Sequence, residues 1–524
     1  MAQPSPLSPT TLRVLSWFLI LAVVLLSPSG AWAKGCAESL PGQNNQPPNS
    51  LWGDLQPASV LQDATNWTGS QAPNTRFPIT TSVDVENGWI FQSFYGGLAI
   101  WDARTNPASP TRVAMLGGFE GQIPGWKPTG EFTQVIQYID APEGVDNIMV
   151  LGALPTLGVT IWDTTNKSGP RQLYQDLGKF TYQVYAARIG DRDYAFAADF
   201  QSNTPGVHAY DMTAARSYGN GACAENTGGG DNHCNVYRGR IGASEPIKYV
   251  NGLQVGSRHF LVTSGGDSTS SGIKIWEVTN PSVPALVVQG FQGFAANGAT
   301  HGVALWSHNG RHYLAARQSK GLQDLGKIFD VTTCLTTGCN NLSSLEIWQT
   351  TALKPYPESI YWLSATFSRN GSVPFVYFGS HDVCRQGEAA GQIEFLYDVS
   401  NPAQPVEVTP DATIQHEGKT VDYWSWYYSD YSRGFAHLGP RMAKFNGQYL
   451  YRAAATMFDV HKYNGAAGPP VANFTWSPDP VYAGDPITFT STSSGAPTSW
   501  QWTFQDGSPS SATANATQVT FSSP

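Results

Sequence analysis

Short apolar runs that end on an acidic residue recur along this chain, and the turn signals between them recur with them. Leu98 to Trp101 stops at Asp102, Asn106-Pro107 and Pro110 follow, and Val113 to Leu116 is apolar again. Each run is too short for a helix and is bounded by turn residues, which predicts two strands joined by a tight connection. Asn-Pro suits that connection because proline fixes φ and pushes its predecessor out of the helical region. The unit returns as Gly272-Ile273-Lys274-Ile275-Trp276-Glu277 with Asn280-Pro281 and Pro284, and as Phe395-Leu396-Tyr397-Asp398 with Asn401-Pro402 and Pro405. Weaker copies place an aromatic before an acid at Trp162-Asp163, Tyr210-Asp211, Phe329-Asp330 and Phe458-Asp459. The acids stand about 60 residues apart, a period that holds several strands and marks a propeller or solenoid. Both faces of these strands are apolar or aromatic, as expected of a sheet packed between two neighbours.

On these residues the chain resembles the LVIVD-repeat family of bacterial extracytoplasmic β-propellers, whose pattern Gly-Leu-x-Ile-x-Asp…Asn-Pro-x-x-Pro is followed by three copies and degenerate in four. The resemblance implies an all-β chain containing a seven-bladed β-propeller, assigned here to residues 78–463. Each repeat reads as four strands, A to D. In the fourth these are Ile247–Val255, His259–Ser264, Ile273–Val278 and Ala285–Gln289; in the fifth, Val303–Ser307, His312–Ala316, Lys327–Val331 and Leu345–Gln349. The seventh has Arg441–Phe445, Gln448–Ala453 and Met457–Lys462 and then stops. Its fourth strand is expected from the N-terminal segment, 34–77, near Leu51–Leu61, because closure removes sheet edges open to pairing.

Residues 464–470 form a linker by composition, and the texture then changes. Phe474-Thr475-Trp476-Ser477, Ile487-Thr488-Phe489 and Trp500-Gln501-Trp502-Thr503-Phe504 alternate between Gly/Pro turns, the pattern of a β-sandwich. Residues 471–524 resemble a PKD domain, an Ig-like sandwich whose signature is Trp-x-Phe-Gly-Asp-Gly; here Gln505 replaces the first glycine before Asp506-Gly507. Further strands are expected after Thr520-Phe521, so the domain reads as truncated at Pro524.

Composition narrows the class. Charged residues are 13 % and aromatics 12 %, with 53 Gly and 36 Pro, which suits a turn-rich all-β protein. The net charge of −9 includes no basic block, which argues against nucleic acid as a partner. Arg13, the apolar run Val14 to Leu26 and Ala31-Trp32-Ala33 predict a signal peptide over residues 1–33, cleaved after Ala33. The run is shorter than the ~20 residues needed to span a bilayer, so no transmembrane segment is expected after cleavage. All six cysteines follow that site, as in an oxidising compartment. Cys223 with Cys234 and Cys334 with Cys339 bracket loops and read as local staples; elimination leaves Cys36 with Cys384.

The motifs of common catalytic sites are missing: no Gly-x-Ser-x-Gly, His-Glu-x-x-His or phosphate loop occurs. Gly266-Asp267-Ser268 resembles an esterase block but falls in a Ser/Thr-rich loop. The acids that close the C strands recur too regularly for a single site, and a carboxylate just past a strand accepts turn amide hydrogens. Tyr423-Trp424-Ser425-Trp426-Tyr427-Tyr428 is different: it lies in a long connection between repeats six and seven, where rigid aromatics supply contact area. Tyr423, Trp424, Trp426 and Tyr427 are therefore candidate ligand-binding residues. Aligning the A strands also places a polar residue at each entrance: Glu131, Lys179, Glu245, His301, Glu358 and His437. Converging on one channel mouth, His301, His437, Glu245 and Glu358 would suit a divalent metal such as zinc, with Lys179 as counter-charge. These readings, with the resemblances, predict a secreted, periplasmic or cell-surface bacterial binding protein for an extracellular polysaccharide or protein. The alternative is a metal-dependent enzyme using the axial funnel.

Overall fold

The computed structural model describes residues 55–62, 80–94, 97–117, 137–153, 158–176, 179, 181–200, 202–217, 235–265, 272–290, 300–320, 323–350, 363–371, 373–380, 394–408, 413–416, 419–422, 442–454, 457–464, 474–477, 483–491 and 499–522. Between residues 55 and 463 they form seven four-stranded antiparallel sheets and one two-stranded hairpin. Six sheets are simple meanders, A to D in chain order. The first runs Thr80–Glu86, Trp89–Phe94, Gly97–Asp102 and Thr111–Gly117. The fourth runs Tyr249–Val255, Arg258–Ser264, Ile273–Glu277 and Ala285–Gly290. The fifth has longer inner strands than the apolar runs suggest, Thr300–His308 and Arg311–Lys320. The seventh takes Met442–Asn446, Tyr449–Ala454 and Met457–Tyr463 from one end of this region and its outer strand, Leu55–Gln62, from the other.

Strands A and B meet in tight turns. Asn87-Gly88 and Asn309-Gly310 have positive φ at both positions, the conformation that matches the twist of a two-residue hairpin. Strands C and D are joined by the Asn-Pro turns in sheets one, four and six, and by short helices at Met212–Ser217 in the third and Thr332–Thr336 in the fifth. The second helix carries the Cys334–Cys339 disulfide. Cys36, Cys223, Cys234 and Cys384 lie outside the described residues.

Neighbouring sheets pack face to face through their inner strands, and the A strand of the seventh also packs against the A strand of the first. Aromatic contacts fill the seams: Trp101 meets Phe458 at 5.7 Å, Trp306 stacks on Phe367 at 5.6 Å, and Phe375 meets Phe445 at 4.8 Å. Each contributes about 0.5–1.5 kcal/mol beyond the area that it buries. At Gly252 an added Cβ would collide with the Tyr185 ring of the third sheet, so the absent side chain admits that ring.

The apolar seams are also hydrogen-bonded. Asp84 Oδ2 accepts the amide hydrogen of Ala141 at 2.9 Å, and Asp140 Oδ2 accepts that of Ala186 at 2.7 Å. Gln183 Oε1 accepts from Val250 at 3.1 Å, Asn251 Oδ1 from Leu305 at 2.8 Å, and Ser368 Oγ from Phe445 at 2.6 Å. Between sheets five and six, the Arg369 guanidinium donates to the Ser307 carbonyl. Lys444 Nζ lies 3.4 Å from Asp84 Oδ1, joining the seventh sheet to the first. Beyond the A strands, Tyr451 OH donates to the Pro107 carbonyl at 2.8 Å and Ser59 Oγ to that of Ala108 at 2.5 Å. The Asn-Pro turn of the first sheet is thus tied to the seventh sheet.

Residues 474–522 form a separate set of strands. Phe474–Ser477, Pro486–Ser491, Ala516–Phe521 and Gly507–Ser508 make one sheet, and Trp502–Thr503 pairs with Ser511–Ala512. Phe504 is buried at its centre, 5.0 Å from Phe489. Among the described residues, no helix is long and apolar enough to cross a membrane.

Candidate functional site

The A strands begin, and the B strands end, at one end of the sheets. Four aromatic and cationic side chains from sheets two to five meet there. Tyr138, Tyr182 and Tyr249 occupy early positions of three successive A strands, with ring centroids 5.7 Å and 5.2 Å apart along the series. Arg317, paired opposite His301 across strands A and B of the fifth sheet, is near Tyr249. All four are almost wholly buried. Burial raises the Tyr138 and Tyr249 phenols well above their ordinary range, and Tyr182 raises them further; at Tyr249 the Arg317 charge works in the opposite direction. Lys248 Nζ sits 5.0 Å from the Phe200 ring centroid and 5.7 Å from that of Tyr182, in cation–π contact. These phenols are neutral hydrogen-bonding groups at physiological pH.

The connection between strands B and C of the third sheet is fixed beside them. Ser202 donates its hydroxyl and amide hydrogens to the Asp199 carboxylate. His208 is buried, with Nε2 2.9 Å from the Thr204 carbonyl and Nδ1 3.2 Å from the Tyr237 hydroxyl. Lys179 Nζ donates to Thr204 Oγ1 at 3.1 Å. The serine hydroxyl goes to the carboxylate rather than to the imidazole, so the Ser202–Asp199–His208 set lacks the nucleophile-to-base hydrogen bond that acyl transfer needs. It immobilises a loop.

The acids closing the C strands organise turns. Asp102, Asp163, Asp330 and Asp398 each accept the amide hydrogen of the residue two positions on, and Asp211 caps the helix after it through the Ala214 amide. Arg104 and Arg258 hold the Asp102 and Glu277 carboxyls below the usual range. Trp101 and Trp162 are buried and Trp276 is half-buried, and they donate Nε1–H to Gln92, Thr160 and Thr263.

The entrance residues do not share one register. Lys179 precedes a strand that starts at Thr181, Glu245 precedes one that starts at Tyr249, and His301 is already inside Thr300–His308. Glu245 is tied to its own sheet by Lys274 Nζ. Glu131, Glu358 and His437 lie outside the described residues, as do Tyr423, Trp424, Trp426, Tyr427 and the Gly266-Asp267-Ser268 segment. Among the described residues no group of three or more metal-ligating side chains converges. The sequence reading missed the tyrosine series and the polar ladder between A strands. The available signal was a polar residue directly after an apolar or aromatic one inside an A strand, as in Val83-Asp84, Tyr182-Gln183 and Val250-Asn251.

Comparison with known proteins defines the class in part: residues 472–524 match the PKD domain family. No curated protein matches the chain. Among solved structures it is similar to Saccharomyces cerevisiae Sqt1, at 11 % identity and TM-score 0.40 over 80 % of this chain and 95 % of that one. It is also similar to a protein from Lactobacillus plantarum, at 10 % identity and TM-score 0.38 over 68 % and 95 %, and to the Pseudomonas aeruginosa periplasmic gluconolactonase PpgL, at 9 % and 0.38 over 67 % and 86 %.

Proposed function

We propose that the chain is an exported bacterial binding protein in which a seven-bladed β-propeller, closed by Leu55–Gln62, presents a binding face beside a PKD domain. The ligand is an extracellular polysaccharide or protein. The reading rests on the difference between the two ends of the sheets. At one end, two-residue hairpins and Asn-Pro turns are pinned by carboxylates, and the longer connections of the third and fifth sheets begin in short helices packed on their own sheets. From the other end leave the long connections 118–136, 291–299, 351–362 and 409–441, the last carrying Tyr423, Trp424, Trp426 and Tyr427. Long connections on a rigid scaffold are where binding residues concentrate. The buried tyrosines, Arg317 and Lys248 at that end support the connections from within the sheets. Flat aromatic rings with polar tips, as in Tyr423, Trp424, Trp426 and Tyr427, suit sugar faces and the apolar surface of a protein partner.

Capture on a panel of insoluble polysaccharides and on extracellular protein extracts tests this reading. The intact protein should be retained, and the Tyr423→Ala/Trp424→Ala/Trp426→Ala/Tyr427→Ala variant should lose retention while keeping its melting temperature. Retention abolished by chelation and restored by zinc would favour the metal-dependent alternative on His301, His437, Glu245 and Glu358. No retention of the intact protein by any matrix would count against the binding reading.

A further inference from the structure

Five sheets of this chain repeat one irregularity, so they serve as controls for one another. Where strand D pairs with strand C, the register shifts after Ile100, Ile161, Ala209, Ile275 and Ile328 in sheets one to five. Each shift sets one C residue diagonal to one D residue on the same face, within reach of long side chains. These are Ala99 and Arg112 in the first sheet, Thr160 and Gln172 in the second, Lys274 and Leu286 in the fourth, and Lys327 and Glu346 in the fifth. In the fifth the two form an ion pair at 2.7 Å. The third sheet alone has an imidazole and a hydroxyl there, His208 and Tyr237.

The hydrogen bonds fix the roles of the two ring nitrogens. His208 Nε2 lies 2.9 Å from the Thr204 carbonyl, which can only accept, so in the neutral ring Nε2 carries the hydrogen and Nδ1 is the acceptor. The Tyr237 hydroxyl, 3.2 Å away, therefore donates to Nδ1. Asp199 Oδ2 is 3.4 Å from Nε2, where it can stabilise an imidazolium. Hydroxyl, base and orienting group thus stand in series, as nucleophilic catalysis needs. Loop anchoring uses Nε2 and does not require the Tyr237 contact. His208 and Asp199 are buried, whereas Tyr237 is half-buried and is the member that a solute can reach. Burial raises the Tyr237 phenol, the Arg240 charge opposes that rise, and Asp176 and Asp199 add to it. The phenol is protonated at neutral pH and reacts only with help from a base. Arg240, paired opposite His208, is half-buried and makes no ion pair among the described residues.

We propose that Tyr237 is the nucleophile of an acyl-transfer site for esters that carry an anionic group. Tyr237 Oη attacks the carbonyl carbon while its proton passes to His208 Nδ1. The bond from that carbon to the alcohol oxygen breaks, and the leaving oxygen takes the proton from Nδ1. The products are an acyl-tyrosine and a free alcohol; water, deprotonated by the same imidazole, then releases the acid and restores the phenol. Asp199 stabilises the imidazolium between these transfers. Arg240 holds the anionic group of the ester. This site does not depend on the binding face proposed above.

Stopped-flow kinetics of the intact protein with p-nitrophenyl acetate and with the p-nitrophenyl monoester of glutaric acid test it. Both should release p-nitrophenol in a burst, faster from the glutarate ester, and peptide mass spectrometry should find the acyl group on Tyr237. Tyr237→Phe, which keeps the ring, should abolish the burst and the label. His208→Gln, which can still donate to Thr204, should slow acylation about a hundredfold or more. Arg240→Gln should remove the preference for the glutarate ester. A wild type without a burst overturns the proposal, as does acylation spread evenly over lysines and other tyrosines. So does a Tyr237 label that forms as fast in His208→Gln as in the wild type. Should His208→Gln lower the melting temperature, Tyr237→Phe decides: a burst that survives it overturns the proposal.

Discussion

Lys444 Nζ lies 3.4 Å from Asp84 Oδ1, and this contact joins the last A strand to the first. Burial alone would lower the lysine's pKa, but the carboxylates of Asp84, Asp140 and Glu86 outweigh it and raise the pKa above the ordinary value. The ammonium is therefore the counter-charge of an acidic cluster drawn from two sheets. Replacing Lys444 with Met should destabilise the protein by about 3–5 kcal/mol, because it leaves buried Asp84 uncompensated. Combining Lys444→Met with Asp84→Asn should recover most of that loss, since the new amide oxygen can still accept the Ala141 amide hydrogen. Chemical denaturation of the two single variants and the double variant measures the coupling; additive effects would contradict the pairing.

Asp140 gives a prediction of opposite sign. Burial, and then the nearby Asp84 charge, hold its carboxyl well above the usual range. A folded pKa above the unfolded one means that this group's contribution is fully present below about pH 4 and is lost as pH rises, because the unfolded chain ionises first. Asp140→Asn keeps an acceptor for the Ala186 amide and removes the ionisation. The variant should be more stable than the wild type at pH 8 by about 1 kcal/mol or more, and the difference should vanish near pH 4. Melting curves across that interval decide; a variant less stable at pH 8 by an amount independent of pH contradicts the assignment.

Asp459 behaves in the reverse manner. Burial opposes its ionisation, but Arg452, at 2.8 Å, and His461 outweigh burial and bring its pKa to about 2. Stability from this group is present above the unfolded value near 4 and is lost as pH falls toward 2, about 2 kcal/mol in all. Asp459→Asn should cost about 3–5 kcal/mol at pH 7, because Arg452 is fully buried and left without its carboxylate. The gap from wild type should narrow in acid titrations between pH 4 and 2. A constant gap would mean that the packing of the substituted amide, not charge, sets the cost.

The extent to which the fold can be read from the sequence follows from the range of the interactions. Trp276-Glu277 and Asn280-Pro281 are contiguous, so the strand, its closing acid and its turn are local signals, and the strand bounds of the fourth repeat agree to within two residues. The helix at Thr332–Thr336 escaped notice because it is shorter than any periodic pattern and is held by a disulfide and a buried Leu335. The polar ladder was invisible for a different reason. Asn251 meets Leu305, and Asp84 meets Lys444, only after the sheets have been placed. The entrance residues show the same limit, because where each A strand begins relative to its neighbours is set only once the sheets have been placed. Lys179, read as a counter-charge at the mouth, donates to Thr204 Oγ1.

Closure of the ring by the N-terminal strand is the claim on which the rest depends. Leu55–Gln62 pairs along Met457–Tyr463, and without it that strand becomes an open edge while the Ser59 contact to the first sheet is lost. Calorimetry of the chain from Lys34 onward and of two truncations of it tests it most directly. Deleting residues 34–62 should lower the melting temperature of the seven four-stranded sheets together by many degrees, whereas deleting 469–524 should leave that transition in place. An N-terminal deletion that melts with the intact protein would contradict the account.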